Sequence, residues 1–130
     1  AAVGCAQVER ANELLEKKKS IAMMYKEGLI NLPLTMQPSL EWAEPVYWMN
    51  CLVLDENSIN KPDLELKLNQ CGIETRPFFE PIPKLGIYND SGFYPVAESL
   101  SSRGINLPSS TLLTKKEIDY IIESIKNLFL

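Results

Sequence analysis

Histidine is absent from all 130 residues. Without imidazole there is no Ser-His or Cys-His nucleophilic dyad, and most catalytic zinc sites lose their usual ligand. Cysteine is scarce: Cys5, Cys51 and Cys71 are odd in number, widely spaced and without CxxC spacing. That spacing supports neither a disulfide framework nor a thiolate metal site. Cys51 and Cys71 lie among apolar residues, so buried free thiols in a reducing cytoplasm are expected. No apolar run approaches the roughly 20 residues of a bilayer span, and no charged segment ahead of an apolar core marks a signal peptide. Phosphate-cradling glycine loops are lacking too, since Gly86 and Gly92 fit neither GxGxxG nor a P-loop. Positive charge is the minority sign, with 13 Lys and Arg against 17 Asp and Glu and a net charge of −4. The one basic run, Lys17 to Lys19, is flanked by Glu13 and Glu16 and reads as a solvated helix face. Nonspecific nucleic-acid binding, which needs clustered Lys and Arg, is thereby disfavoured.

What is present is ordinary for a globular domain: 45% apolar and 23% charged residues. A domain of this length buries roughly two thirds of its unfolded surface, enough for a real core. The chain opens on Ala1-Ala-Val-Gly-Cys-Ala-Gln7, with no initiator Met, cap or turn. It reads as the interior of a helix, and hence as a piece of something larger. The apolar pattern continues through Leu14, Ile21, Tyr25 and Leu29 at helical spacing. One long helix with at most one break is expected, to about Ile30, after which Pro33 and Pro38 start a linker.

Val46 to Asp55 is expected to be a strand, apolar on both faces as central strands are. Asn50 interrupts it, and a buried amide there calls for a hydrogen bond to neighbouring backbone, with ligand contact the alternative. Trp42, Tyr47 and Trp48 at its entrance read as core or domain-interface packing. Glu41 and Glu44 lie close by without a paired-carboxylate geometry. Asn60 is a good N-cap with Pro62 in the first turn, and Gly72 fits the C′ position. Leu64, Leu68 and Cys71 share one face of that short helix. Ile73 to Phe79 is the next strand, placed at an edge or interrupted because Pro77 has no N–H.

Glu80 to Phe93 is then a long loop, of the kind that is functional or disordered. Ile82, Leu85, Ile87, Tyr88 and Phe93 favour an ordered loop packed on something. A helix opening at Pro95, with Val96 and Leu100 on one face, closes at Gly104; Ile105 to Leu107 is a strand. Thr114 and Glu117 form a capping box ahead of a helix striped by Ile118, Ile121, Ile122, Ile125, Leu128 and Phe129. The fold class is α/β: a small mixed or antiparallel sheet covered on one face by helices.

The candidate site falls in one segment. Arg76 offers a guanidinium fork suited to phosphate or carboxylate; the alternative is an edge-strand ion pair with Glu74 or Glu80. Phe78 and Phe79 point to opposite faces, so one is core and the other is free to stack on a sugar or a base. Lys84 is the one lysine in the long loop, a candidate ligand contact; nothing beside it desolvates the amine for Schiff-base chemistry.

These residues resemble the C-terminal part of the DegT/DnrJ/StrS family of pyridoxal-phosphate-dependent aminotransferases acting on nucleotide-linked sugars. Ala1 to Arg10 resembles the family's AAxGxxQLERL helix, and Tyr47-Trp48-Met49 its YWM strand entrance. The run Gly72-Ile-Glu-Thr-Arg-Pro-Phe-Phe-Glu-Pro81 resembles GIETRPFFxP nearly letter for letter. Tyr94 to Glu98, Arg103 to Ser109 and Leu113-Thr114 resemble later family segments. The RPFF form is most similar to the perosamine synthase branch, which aminates GDP-linked sugars at position 4.

The resemblance implies the small C-terminal domain of a fold-type I transferase. Residues 1–32 would be a connecting helix and 33–130 a small α/β domain. The large domain, with the cofactor lysine, the pyridine-nitrogen aspartate, the phosphate cup and an asparagine-arginine loop reaching a partner subunit, is not in this sequence. Implied with it are pyridoxal phosphate in the complete enzyme but none on this chain alone, a homodimer partner, glutamate as amino donor, a nucleotide-sugar substrate, and a cytoplasmic location. No catalytic residue is carried over. Substrate binding is carried to Arg76, Phe78, Phe79 and Lys84. One departure stands out: family members often have histidine where this chain has Pro83, so that contact is not transferred, and Lys84 or loop backbone is left to replace it. A noncatalytic ligand-binding module and a helix-mediated dimerisation domain remain as alternatives.

Overall fold

The computed structural model describes residues 1–88 and 92–129. Two helices come first, α1 (Ala2–Glu9) and α2 (Ala11–Leu29), broken at Arg10, whose φ of −103° and ψ of 7° leave the helical region. The expected long helix with a single break is therefore present. Nothing in α1 is buried, whereas α2 buries Ile21, Ala22, Tyr25 and Leu29 along one face.

The stretch read as a linker contains a strand instead: β1 (Leu34–Met36) pairs antiparallel with β2 (Asn50–Leu54), Leu34 opposite Leu54 and Met36 opposite Leu52. Its flanking prolines mark the ends of a three-residue strand rather than a structureless link. Strand β2 is correspondingly shorter than expected. Tyr47 has φ +47°, a left-handed conformation that an extended strand cannot contain, so pairing starts only at Asn50. After β2 come α3 (Lys61–Gln70), β3 (Arg76–Pro77), a 3₁₀ turn at Ile82–Lys84, α4 (Pro95–Arg103), β4 (Gly104–Leu107) and α5 (Lys115–Lys126). The sheet is antiparallel with order β1-β2-β4-β3. β3 is an edge of two residues, Arg76 opposite Asn106 and Pro77 opposite Ile105, which is where a residue without an N–H is tolerated.

Alternation sorts the two faces of β2. Asn50, Leu52 and Leu54 are buried, while Cys51 and Val53 are half-buried. The inner set joins Ile21, Tyr25 and Leu29 of α2, Leu64 and Leu68 of α3, Ile105 and Leu107 of β4, and Ile118, Ile121, Ile122 and Ile125 of α5 in one core. Each such side chain is worth about 1.5–3 kcal/mol of transfer free energy, which makes this cluster the main source of stability. Two polar details depart from expectation. The Asn50 amide is 2% exposed, yet neither its oxygen nor its nitrogen has a hydrogen-bond partner among the described residues. The thiols are not buried: Cys5 and Cys71 are exposed and Cys51 is half-buried. The inward face of α3 ends at Leu68, and Cys71, at the C-cap, has already turned to the surface.

The helix ends carry local signals that work as drawn. The Asn60 side chain accepts a hydrogen bond from the Asp63 N–H at the start of α3. At its end, Gly72 takes φ +74°, and the Gly72 and Ile73 N–H groups bond the Asn69 and Leu68 carbonyls. A Cβ at Gly72 would meet nothing within 4 Å, so Gly72→Ala isolates the backbone penalty. The expected loss is about 1–2 kcal/mol, read as a lower urea midpoint at unchanged m-value.

Thr114 and Glu117 complete a capping box on α5: the Thr114 hydroxyl accepts from the Glu117 N–H, and the Glu117 carboxylate accepts from the Thr114 N–H at 2.7 Å. Those bonds to Thr114 hold the Glu117 carboxyl below its usual pKa. The folded-state value is depressed, so this contribution is present above the unfolded value near 4.5 and is lost as pH falls through the folded one. Thr114→Ala is expected to lower stability by about 1 kcal/mol at pH 7, and by less at pH 3, in parallel denaturation curves.

Candidate functional site

The site grows from the edge of the sheet. Gly72 ends α3 and sends the chain along β3, so that Arg76 stands at the edge and Pro77 leads into Phe78 and Phe79. The Phe78 N–H bonds the Gly104 carbonyl, and the Phe78 ring lies so close to Gly104 that a Cβ there would come within 2.9 Å of it. Gly104 therefore lets the ring settle over β4. Phe78 is half-buried and Phe79 exposed, so neither lies in the core, contrary to the division expected from strand alternation. Two residues of ladder are too few to carry the alternation past Pro77.

Arg76, Phe78, Phe79 and Lys84 line one open depression of about 840 Å³, together with Met49, Lys61, Glu80, Glu98, Ser101 and Ser102. Four candidate residues from one sequence segment are thus brought together. Sequence reasoning missed Lys61, Glu98 and Met49, which come from α3, α4 and the approach to β2 and share no local spacing with the others. The Tyr94 to Glu98 segment was noted only as a family-like motif.

The charges here are engaged with one another. Arg76 pairs with Glu74 at 2.9 Å, both side chains 75% exposed, and Lys84 lies 3.7 Å from Glu98. The Lys61 ammonium donates to the Ser101 carbonyl at 3.0 Å. The Glu74 partner is the ion pair held open as the alternative reading of Arg76. Exposed pairs of this kind contribute only about 0–1 kcal/mol. A phosphate or carboxylate offering the guanidinium two parallel hydrogen bonds can displace Glu74 at small cost.

The loop after Phe79 is not packed as expected. Pro81 is buried and the 3₁₀ turn is hydrogen-bonded from Lys84 N–H to Pro81 carbonyl. Ile82, Leu85, Ile87, Tyr88 and Phe93 are nevertheless exposed; residues 89–91 of this loop lie outside the described residues. Trp42 and Trp48 are exposed as well, against the expectation of core packing, while Tyr47 is buried. Val96 and Leu100 do not form a buried face of α4, although Leu100 lines a second depression beside the site.

Every strand and helix that shapes this wall also occurs in a known architecture. A family model, the DegT/DnrJ/EryC1/StrS aminotransferase family, matches residues 1–126. The chain belongs to this family. GDP-perosamine synthase of Vibrio cholerae is 34% identical over 133 residues, covering 99% of this chain and 36% of that protein. GDP-perosamine synthase of Escherichia coli is 35% identical over 130 residues, covering 99% and 35%. The chain thus spans about a third of the length of these curated relatives. Among solved structures, a Streptococcus pneumoniae protein described as a sugar aminotransferase, in its PLP form, superposes with TM-score 0.87 at 27% identity, over 96% of this chain and 33% of that one. Helicobacter pylori PseC, an aminotransferase involved in the biosynthesis of pseudoaminic acid, shares the fold with TM-score 0.88 at 21% identity over 98% and 36%. The expected family and small α/β fold are both present, and the sheet is antiparallel throughout.

Family membership brings pyridoxal phosphate into question, and the residues present do not fit it. An aldimine lysine must be desolvated and free to react. Lys84 is half-exposed and stands beside Glu98. Burial does lower the Lys18 pKa, but its ammonium donates to the Trp48 carbonyl at 3.0 Å, the Ser109 hydroxyl at 3.1 Å and the Ser109 carbonyl. All three of its protons are engaged. Among the described residues there is likewise no cluster of carboxylates, cysteines or histidines able to hold a metal ion. No described helix is long and apolar enough to cross a membrane.

Proposed function

We propose that this chain is the small-domain portion of a pyridoxal-phosphate-dependent aminotransferase that moves an amino group from an amino acid, glutamate, to a keto nucleotide sugar for cell-surface polysaccharide or antibiotic sugar synthesis. The observation that carries the reading is the Gly72 to Pro81 segment, nearly letter for letter that of the family, with its Arg76, Phe78 and Phe79 on the wall of an open depression. Support also comes from relatives named GDP-perosamine synthase at 34% and 35% identity. In this reading residues 1–32 form the connecting helix, whose second half is pinned into the core by Tyr25 and Leu29, and residues 33–130 form the small domain.

The cofactor supplies electron-sink chemistry from the large domain, and this chain supplies binding and orientation. Arg76 exchanges Glu74 for the substrate diphosphate. Lys84 and Lys61 offset the remaining negative charge, and the two phenylalanines form an apolar wall that excludes water from one side of the cleft. Alone, the chain binds substrate fragments and does not transaminate. Its working place is the cytoplasm, as one half of a homodimer with its own large domain.

Coding sequence upstream of Ala1 tests the reading at little cost. An SxHxxK-like cofactor segment followed by an NxR loop is the expected finding. A start codon directly before Ala1, with neither segment, would contradict it and leave a noncatalytic ligand-binding module.

A further inference from the structure

We propose that Trp48 and Phe79 form a stacking slot for the planar base of a nucleoside diphosphate; this rests on the nucleotide-sugar reading and adds to it the residues that grip the base. The two rings are near parallel, 16° apart, with centroids separated by 6.5 Å. A flat ring between two others needs two van der Waals layers of about 3.5 Å each, about 7 Å in all, so a small opening admits one. Both residues are largely in water, Trp48 at 65% and Phe79 at 63% exposure.

The slot is held by its backbone rather than by burial of its rings. Tyr47 carries the one positive φ of any non-glycine among the described residues, and strain of this kind collects at functional sites. Its side chain is buried, with the Lys26 ammonium donating to the hydroxyl at 3.1 Å and lying 5.1 Å from the ring centroid. One residue on, the Trp48 carbonyl accepts from Lys18 at 3.0 Å and from the Ser109 hydroxyl at 3.1 Å. Opposite, Phe79 meets Phe78 edge-on at 65°, and Phe78 is fixed over Gly104. An exposed aromatic pair whose backbone is pinned on both sides loses little freedom when it binds. Lys18 and Ser109 are its positioning residues.

The surroundings match an amphiphile with one flat and one charged end. Beneath the rings is a depression of about 600 Å³ lined by Met36, Met49, Cys51, Val53 and Leu100. Across the Phe78–Phe79 ridge lies the depression with Arg76 and Lys84. A base in the slot would direct its diphosphate over the ridge toward the guanidinium.

In a Trp42→Phe background Trp48 is the sole tryptophan. Titrating this 130-residue chain with guanosine 5′-diphosphate is expected to quench its fluorescence saturably, and inorganic pyrophosphate is expected not to. Phe79→Ala should weaken binding of the nucleotide about 5- to 100-fold, as removal of one base–aromatic stack does. Phe79→Tyr keeps the ring and should stay within about threefold. Phe79 is outside the core, so neither change threatens folding. Absence of quenching by the nucleotide, equal quenching by pyrophosphate, or an unchanged dissociation constant for Phe79→Ala would each overturn the slot. Failure of the nucleotide-sugar reading looks different: an enzyme with its large domain transfers no amino group, yet the nucleotide still quenches Trp48. Failure of the slot leaves transfer intact and Phe79→Ala kinetics unaltered.

Discussion

Tyr25→Ala is expected to destabilise the chain by about 3–5 kcal/mol, the range for removing a large buried aromatic. Tyr25 is fully buried in α2, within the cluster that joins α2 to the sheet and α5. Its hydroxyl donates to the Pro108 carbonyl at 3.0 Å, just after β4, and burial pushes its pKa well above the ordinary tyrosine value. A domain of this size has about 5–15 kcal/mol of total stability, so the variant should be near the edge of folding at 25 °C. Tyr25→Phe keeps the packing and loses one hydrogen bond, for about 1 kcal/mol. Denaturant midpoints of the two variants measure both quantities. A Tyr25→Ala midpoint close to wild type would mean that α2 does not belong to this core.

The second large effect is on binding. In the complete enzyme, Arg76→Ala is expected to raise KM for the nucleotide sugar about 10- to 100-fold, the equivalent of one charge-assisted hydrogen-bonding contact, with kcat little changed. That pattern marks binding common to ground and transition states. Arg76→Lys should recover only part of the loss, because an ammonium cannot reproduce the planar fork. Lys84→Ala should have a smaller effect, since Glu98 already stands 3.7 Å from its ammonium. Steady-state kinetics at varied nucleotide-sugar concentration separate these cases. Unchanged KM for Arg76→Ala would return that residue to its Glu74 partner and a purely structural role.

Legibility of the fold followed the strength of local signals. Helix α5 could be read because its isoleucine stripe and its Thr114–Glu117 box agree, and α3 because Asn60, Pro62 and Gly72 bracket it. Strand β1 could not. Three residues between prolines have no pattern of their own and become a strand only by pairing with β2. The start of β2 was misplaced because Val46 to Met49 is apolar enough for a strand, while the turn at Tyr47 depends on tertiary bonds from Lys26, Lys18 and Ser109. Cys71 was misjudged for a similar reason: helical spacing placed it behind Leu68, but the last turn leaves the core.

The site divides in the same way. Arg76, Phe78, Phe79 and Lys84 were legible because one short segment carries them all. Lys61, Glu98 and Trp48 reach the same wall from three other elements, and only the folded chain brings them there. The exposed apolar side chains of the loop, among them Ile87 and Phe93, suggested packing within this domain; here they face solvent.

Transamination by the chain joined to its large domain, loaded with pyridoxal phosphate and supplied with glutamate and a GDP-linked 4-keto sugar, tests the central claim most directly. The expected result is formation of the amino sugar and 2-oxoglutarate in equal amounts. Tight binding of the nucleotide sugar with no 2-oxoglutarate formed from any amino donor would contradict it.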